Sequence, residues 1–231
     1  LFDMVTQHPL VDTPVRGKEM HGLYHGLVSG WSDEMTAEYL QRYDVGKDDK
    51  LLGECTPYYM RAPWVVDVVA TVFPETAPLI VILRDPVERF ESAVRHALEN
   101  NQQPSGLGWY RRYGSDLTWG GMYASQLATW FDHFGMDRFV VLQYEKVVAD
   151  PQHWVDLVWK RIGVDPVPLK RVSRPSRTST NPSTWTLETV PGLRARLRTT
   201  YEGEVSRLTS LGIDRSLWPN FADSGTGTRL G

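Results

Sequence analysis

The stretch LIVILRDPVERFESAVRHA, Leu79 to Ala97, decides the fold. Leu79–Leu83 is an unbroken apolar run, bounded by Pro78 on one side and by Arg84-Asp85-Pro86 on the other. A run of this length between turn residues predicts a strand buried on both faces, as in a parallel sheet. The pattern then changes at once to a helix over Pro86–Glu99. Asp85 is placed to cap it and Pro86 suits its first position. Glu88, three residues after Asp85, completes the pattern of a capping box. A helix that starts directly behind a buried strand presents free N–H groups and the positive end of its dipole, and both favour a phosphate.

Arg84 stands at the end of the strand and Ser92 two turns into the helix. Asp85, Arg89, Ser92 and His96 follow one another at i, i+4, i+7 and i+11, so they share one stripe. Arginine brings a planar fork for a phosphate and serine a hydroxyl donor. From the residues alone two readings stand. Either Arg84 and Ser92 hold an anion, or Arg84 pairs with a local carboxylate while Ser92 faces solvent.

Outward from this segment, strands and helices alternate. A helix is expected over 33–43 with Ser32 as its N-cap, a strand over 50–55 and a helix over 61–73. Further helices are expected over 119–134 and 151–162, a strand over 139–142 and a terminal helix within 187–211. Residues 1–8 read as the tail of a helix that stops at Pro9. Residues 11–30, 100–118 and 171–183 read as loops. The alternation predicts an α/β fold, a three-layer sandwich around a central parallel sheet. One domain over 1–221 is expected, with 222–231 as a disordered tail. Ligands in such folds bind beyond the carboxyl ends of the strands, here after Leu83 and after Glu54.

With 231 residues, 41% of them hydrophobic and 23% charged, the chain can bury a core without disulfides or metal. A net charge of −3 excludes a general nucleic-acid binder. The single cysteine, Cys55, rules out an internal disulfide framework and fits a cytoplasmic enzyme. No stretch is apolar for long enough to span a membrane. His21 and His25 are spaced i, i+4, but no partner in the sequence completes a ligand set, so no metal is expected.

The run Arg84-Asp85-Pro86-x-x-Arg89-x-x-Ser92 resembles the 3′-phosphate motif of sulfotransferases that use 3′-phosphoadenosine 5′-phosphosulfate (PAPS). The resemblance implies a phosphate-loop fold similar to that of nucleotide kinases. It also implies that Arg84 and Ser92 hold the 3′-phosphate, with a structural part for Arg89. The family's loop of the type G-x-x-[KR]-x-G-T-[ST] does not occur here, whereas Leu1–Pro9 is similar to the segment directly after that loop in relatives. The expectation is therefore that the loop precedes Leu1 in the full protein.

Arg16-Gly17-Lys18-Glu19-Met20-His21 resembles the K-E-x-H segment of the branch that contains heparan-type carbohydrate enzymes and many bacterial members. This implies Glu19 as the base that takes the acceptor's proton, with His21 as the competing candidate because its ordinary pKa lies near neutrality. Relatives continue with Phe-Phe where this chain has Gly22-Leu23. Gly53-Glu54-Cys55-Thr56-Pro57-Tyr58-Tyr59 is similar to the family's G-E-K-T-P-x-Y, with Cys55 in place of the lysine. Gly121-Met122-Tyr123-x-x-Gln126-Leu127-x-x-Trp130 resembles its G-x-Y-x-x-Q-L-x-x-W helix.

Lys18, Tyr58 and Trp109 are candidates for the acceptor side, Trp109 through stacking beside Arg111 and Arg112. Arg171, Arg174 and Arg177 lie where relatives carry a late nucleotide-binding loop, and a solvated basic loop is the plain alternative. The expected reaction is transfer of a sulfuryl group from PAPS to a hydroxyl or amine of a carbohydrate, lipid or small-molecule acceptor. Two rivals are an ATP-dependent kinase-like enzyme and a non-catalytic nucleotide-binding domain of the same fold.

Overall fold

The computed structural model describes residues 1–14, 19–25, 30–43, 50–99, 114–172 and 185–222. Its elements run in the order α1 (Phe2–Val5), β1 (Val11–Asp12), α2 (Asp33–Leu40), β2 (Leu51–Leu52), α3 (Val65–Val72), β3 (Leu79–Leu83) and α4 (Pro86–Glu99). They continue with α5 (Tyr123–Phe134), β4 (Phe139–Gln143), α6 (Tyr144–Ala149), α7 (Pro151–Arg161) and α8 (Leu193–Leu208). The class is α/β. The strands form two pairs among the described residues, β1 with β2 and β3 with β4. The first pair is parallel, with Val11 opposite Leu51 and Asp12 opposite Leu52.

The chain packs into two compact units. The first holds Leu1–Val81, Gln126–Val140 and Lys146–Ser176, and the second Ile82–Ser125, Val141–Glu145 and Arg177–Gly231.

In the first unit the expected Ser32 cap forms, and Asp150 caps α7 as well. The Ser32 hydroxyl accepts the N–H of Met35 at 3.2 Å, and the Asp150 carboxylate accepts that of His153 at 3.2 Å. The helix expected over 61–73 is shorter. A 3₁₀ turn over Pro57–Arg61 precedes it, and α3 begins at Val65. Its sequence VVDVVATV is poor in intrinsic helix formers, since β-branched side chains lose rotamer freedom there. Packing overrides that preference. Val65, Val66, Val68 and Val69 are all buried against Leu23, Tyr39, Tyr59 and Trp130. Each such side chain is worth roughly 1.5–3 kcal/mol on burial. Near the N-terminus, Trp159 donates its indole N–H to the Val5 carbonyl at 3.0 Å, tying α7 to α1.

The second unit is built on α4 and α8, which pack together. Val87, Phe90 and Val94 from α4 and Leu197, Tyr201, Val205 and Leu208 from α8 are buried, as are Trp218 and Phe221. The spacing of both sets is that of one helical stripe. Residues 114–119, within and just beyond the expected loop, are helical. The following Gly120-Gly121 interrupts what was expected as one helix over 119–134. A Cβ on Gly121 would stand 2.7 Å from the Tyr201 ring, so the close approach of these two elements requires glycine there.

The reading of β3 also needs correction. Leu79–Leu83 is not buried on both faces, because Ile80 and Ile82 remain 37% and 38% exposed while Leu83 is fully buried. The alternation is that of a strand with one face covered and one open. The expected tail over 222–231 lies, apart from Ala222, outside the described residues.

Candidate active site

Two groups of polar side chains stand at the carboxyl ends of strands, one in each unit. In the second unit the turn after β3 is held by Asp85, which is fully buried. Its Oδ1 accepts the backbone N–H groups of Val87 at 2.9 Å and Glu88 at 3.3 Å, the expected N-cap. Its Oδ2 accepts the backbone N–H and the side-chain amide of Asn220, at 3.2 and 2.9 Å.

The capping box is completed differently from the sequence pattern. The N–H of Asp85 donates not to Glu88 but to Oε1 of Glu145, at 3.1 Å, and the indole of Trp218 donates to the other Glu145 oxygen at 2.8 Å. Glu145 lies just past the end of β4, the strand paired with β3, and so reaches the turn from the side. Glu88 is thereby released to face outward.

There it meets two arginines. Glu88 Oε1 accepts from Arg194 at 3.1 Å, and its Oε2 lies 3.9 Å from Arg84. Arg194 also binds Glu188 at 2.8 Å, Glu91 at 3.3 Å and the Asn220 side-chain oxygen at 3.0 Å. Burial works against the charge of Arg194, but the hydrogen bonds to Glu188 and Glu88 outweigh it and raise its pKa. Burial, with Glu88 nearby, raises the carboxyl of Glu91.

Arg84 itself is 30% exposed and lies over the ring of Tyr144, its guanidinium carbon 5.1 Å from the centroid. Ser92 is half-buried on the same helix. Arg89, on the same stripe, turns inward and donates to the Leu117 carbonyl, a structural contact. Tyr123, buried beneath this turn, has its hydroxyl pushed up to about 12 by burial, against the pull of Arg89. An open cavity of about 540 Å³ lies at the start of α8 beside Arg194 and Asn220; neither Arg84 nor Ser92 lines it.

In the first unit, β1 and β2 deliver the other group. The backbone N–H of Glu19 donates to the Cys55 carbonyl at 2.8 Å, joining the segment after β1 to the one after β2. The N–H of His21 points at the Thr56 hydroxyl at 3.4 Å, and that of Leu23 at the Tyr59 hydroxyl at 3.1 Å. Glu19 and His21 are exposed, and both adopt positive φ, 63° and 51°. His21 stacks on Tyr24 with centroids 5.7 Å apart and meets the edge of Tyr58 at 5.9 Å. Tyr58 in turn carries the Arg61 guanidinium 4.4 Å from its centroid.

Below them Glu54 is enclosed by hydroxyls. It accepts from Thr56 at 2.6 Å and from Tyr39 at 2.8 Å, and Tyr39 shares a 3.1 Å hydrogen bond with Tyr43. Burial, reinforced by the charge of Glu54, pushes the Tyr43 hydroxyl up to about 12. The same two causes raise Tyr39 and Tyr59 beyond the ordinary phenol range.

Of the other expected site residues, Arg171 is exposed, and its backbone N–H donates to Gln7 at 3.0 Å. Lys18, Trp109, Arg174 and Arg177 lie outside the described residues. The sequence reading missed Glu145, Arg194 and Asn220. They sit 60 or more residues from Asp85, and no local pattern connects them. Among the described residues no three His, Cys, Asp or Glu side chains gather as a metal site, and no helix is long and apolar enough to cross a membrane.

The sulfotransferase family profile matches residues 24–168, a span that includes Arg84, Ser92 and Tyr58 but begins after Glu19 and His21. Over 74 residues the chain is 35% identical to the membrane-associated sulfotransferase kil1 of Dictyostelium discoideum. That stretch is 31% of this chain and 16% of the relative. The structure is similar to the crystal structure of a sulfotransferase from Alicyclobacillus acidocaldarius, with a TM-score of 0.71 and 22% identity, over 93% of this chain and 91% of that one. At that identity the likeness carries the fold alone. The profile spans more than half of the sequence, and the chain belongs to the sulfotransferase family.

Proposed function

We propose that the protein transfers a sulfuryl group from PAPS to a hydroxyl or amine of a carbohydrate, lipid or small-molecule acceptor. The observation that carries this reading is Arg84 at the end of β3. Its face is covered by Tyr144, its nearest carboxylate among the described residues is 3.9 Å away, and it stands directly before a capped helix that bears Ser92. A guanidinium stacked on a ring at the start of a helix, with only this loose ion pair among the described residues, suits a phosphate. When bound, PAPS supplies the sulfuryl group and an adenosine phosphate leaving group.

In this reading Arg84 donates N–H bonds to the 3′-phosphate and Ser92 adds its O–H. The pair separates PAPS from nucleotides without that phosphate. Glu19 takes the proton of the acceptor hydroxyl on a carboxylate oxygen, with His21 as the alternative base. Tyr58, Lys18 and Trp109 belong to the acceptor side, and Arg171, Arg174 and Arg177 to the nucleotide side. The lone Cys55 supports a cytoplasmic setting for this chemistry.

Calorimetry with 3′-phosphoadenosine 5′-phosphate on the full-length protein tests the donor assignment. Arg84→Ala is expected to weaken binding by roughly tenfold or more, the worth of a charge-assisted hydrogen bond. Equal affinity in the two proteins overturns it.

A further inference from the structure

The strained turn at Glu19–His21 has a specific support. Three backbone donors at alternate positions, 19, 21 and 23, are taken in succession by the Cys55 carbonyl, the Thr56 hydroxyl and the Tyr59 hydroxyl. Two of these acceptors are hydroxyls, and a hydroxyl has one proton to give. Thr56 gives its proton to Glu54 at 2.6 Å, which leaves its lone pairs for the N–H of His21. Tyr39 gives its own to the other oxygen of Glu54 at 2.8 Å.

A carboxylate only accepts, so it fixes the direction of every hydrogen bond around it. Glu19, unlike histidine, is not a residue type enriched at positive φ, and such a backbone persists only where its surroundings impose it. The imposing network ends on Glu54. Leu23 below the turn is fully buried, which anchors the segment at its far end.

We infer that Glu54 is a positioning residue for the acceptor-side base: through Thr56 it holds the backbone of Glu19–His21 in the conformation that sets where those two side chains stand. The inference rests on the proposed role of Glu19, with His21 as alternative, and adds to it a residue that touches neither reactant. In Glu54→Gln one acceptor oxygen becomes an amide donor, so one of the two hydroxyls must turn round. Thr56→Val keeps the shape and removes the relay, while Thr56→Ser keeps the relay and removes only a methyl group.

The test uses the full-length protein and these three variants. It measures amide hydrogen exchange at His21, turnover with a hydroxyl acceptor, and affinity for 3′-phosphoadenosine 5′-phosphate. Glu54→Gln and Thr56→Val are expected to speed exchange at His21. They are also expected to lower kcat by roughly ten- to a hundredfold, the cost of a misplaced catalytic group. Nucleotide affinity is expected to stay within about twofold and Thr56→Ser to behave as wild type. Unchanged exchange in both relay variants overturns the inference, as does equal damage from Thr56→Val and Thr56→Ser. Faster exchange with full turnover also overturns it, and Glu19→Gln and His21→Gln then separate the causes. Full turnover in both shows that the base assignment failed, and lost turnover in either shows that only the positioning role did.

Discussion

Glu88 Oε2 lies 3.9 Å from the Arg84 guanidinium, while the other oxygen of the same carboxylate accepts from Arg194 at 3.1 Å. The residue proposed to hold an anion is therefore partly neutralised from the helix that follows it. An incoming phosphate meets this carboxylate, and Arg194 keeps it in place. Glu88→Gln is expected to raise affinity for 3′-phosphoadenosine 5′-phosphate by roughly two- to fivefold, the range of a half-exposed ion pair. The gain should shrink as salt is added. Calorimetry at two ionic strengths checks both; a loss of affinity would show instead that Glu88 steers Arg84 into its binding pose.

Asp85 carries more of the local structure than its capping role alone requires. It accepts four hydrogen bonds while fully buried, two from the helix start and two from Asn220. Asp85→Ala removes the cap, at about 1 kcal/mol, and leaves buried donors unsatisfied at about 1–3 kcal/mol more. Chemical denaturation should show a loss of roughly 2–4 kcal/mol. Asp85→Asn, which keeps an acceptor oxygen, should lose less.

Gly22 lies where the chain leaves no room for a side chain. A Cβ there would stand 2.6 Å from the Arg42 guanidinium and 3.0 Å from the ring of Tyr39. The arginine tip can move, but Tyr39 is buried and hydrogen-bonded to Glu54. Gly22→Ala is therefore expected to cost about 1–3 kcal/mol through overpacking. A melting temperature equal to wild type would show that the tyrosine cluster yields.

The tyrosines around Glu54 set an alkaline limit on stability. Tyr43 is raised from 10.0 to about 12, chiefly by burial. Its neutral form is the one favoured in the folded protein, so the associated stability is intact below pH 10 and is lost as pH rises through about 12. Denaturation midpoints should fall across that window, and less so in Tyr43→Phe. Absorbance of the phenolate checks the titration directly, since a cluster that ionises at the ordinary phenol pKa contradicts the burial seen here.

What the sequence determined by itself was local or periodic. Ser32 and Asp85 cap their helices because the capped N–H lies two or three residues away, within one turn. The apolar run Leu79–Leu83 and the capped start at Asp85-Pro86 name a strand and the helix behind it through local pattern alone. Arg84 and Ser92 could be named as a pair because they stand at the end of one strand and on the helix that follows it.

The tertiary structure decided which partner each polar group takes. Glu88 matches the capping-box pattern, yet Glu145 fills that place, because strand pairing brings it to the turn from 60 residues away. Asn220 reaches Asp85 across 135 residues and Arg194 reaches Glu88 across 106. No period in the sequence encodes such distances. Likewise Glu19 and His21 were named from their motif, but only the contacts to Cys55, Thr56 and Tyr59 show that their backbone is held at positive φ. A partly buried carboxylate orients the hydroxyls around it, and which hydroxyls surround Glu54 is settled only when the chain has folded.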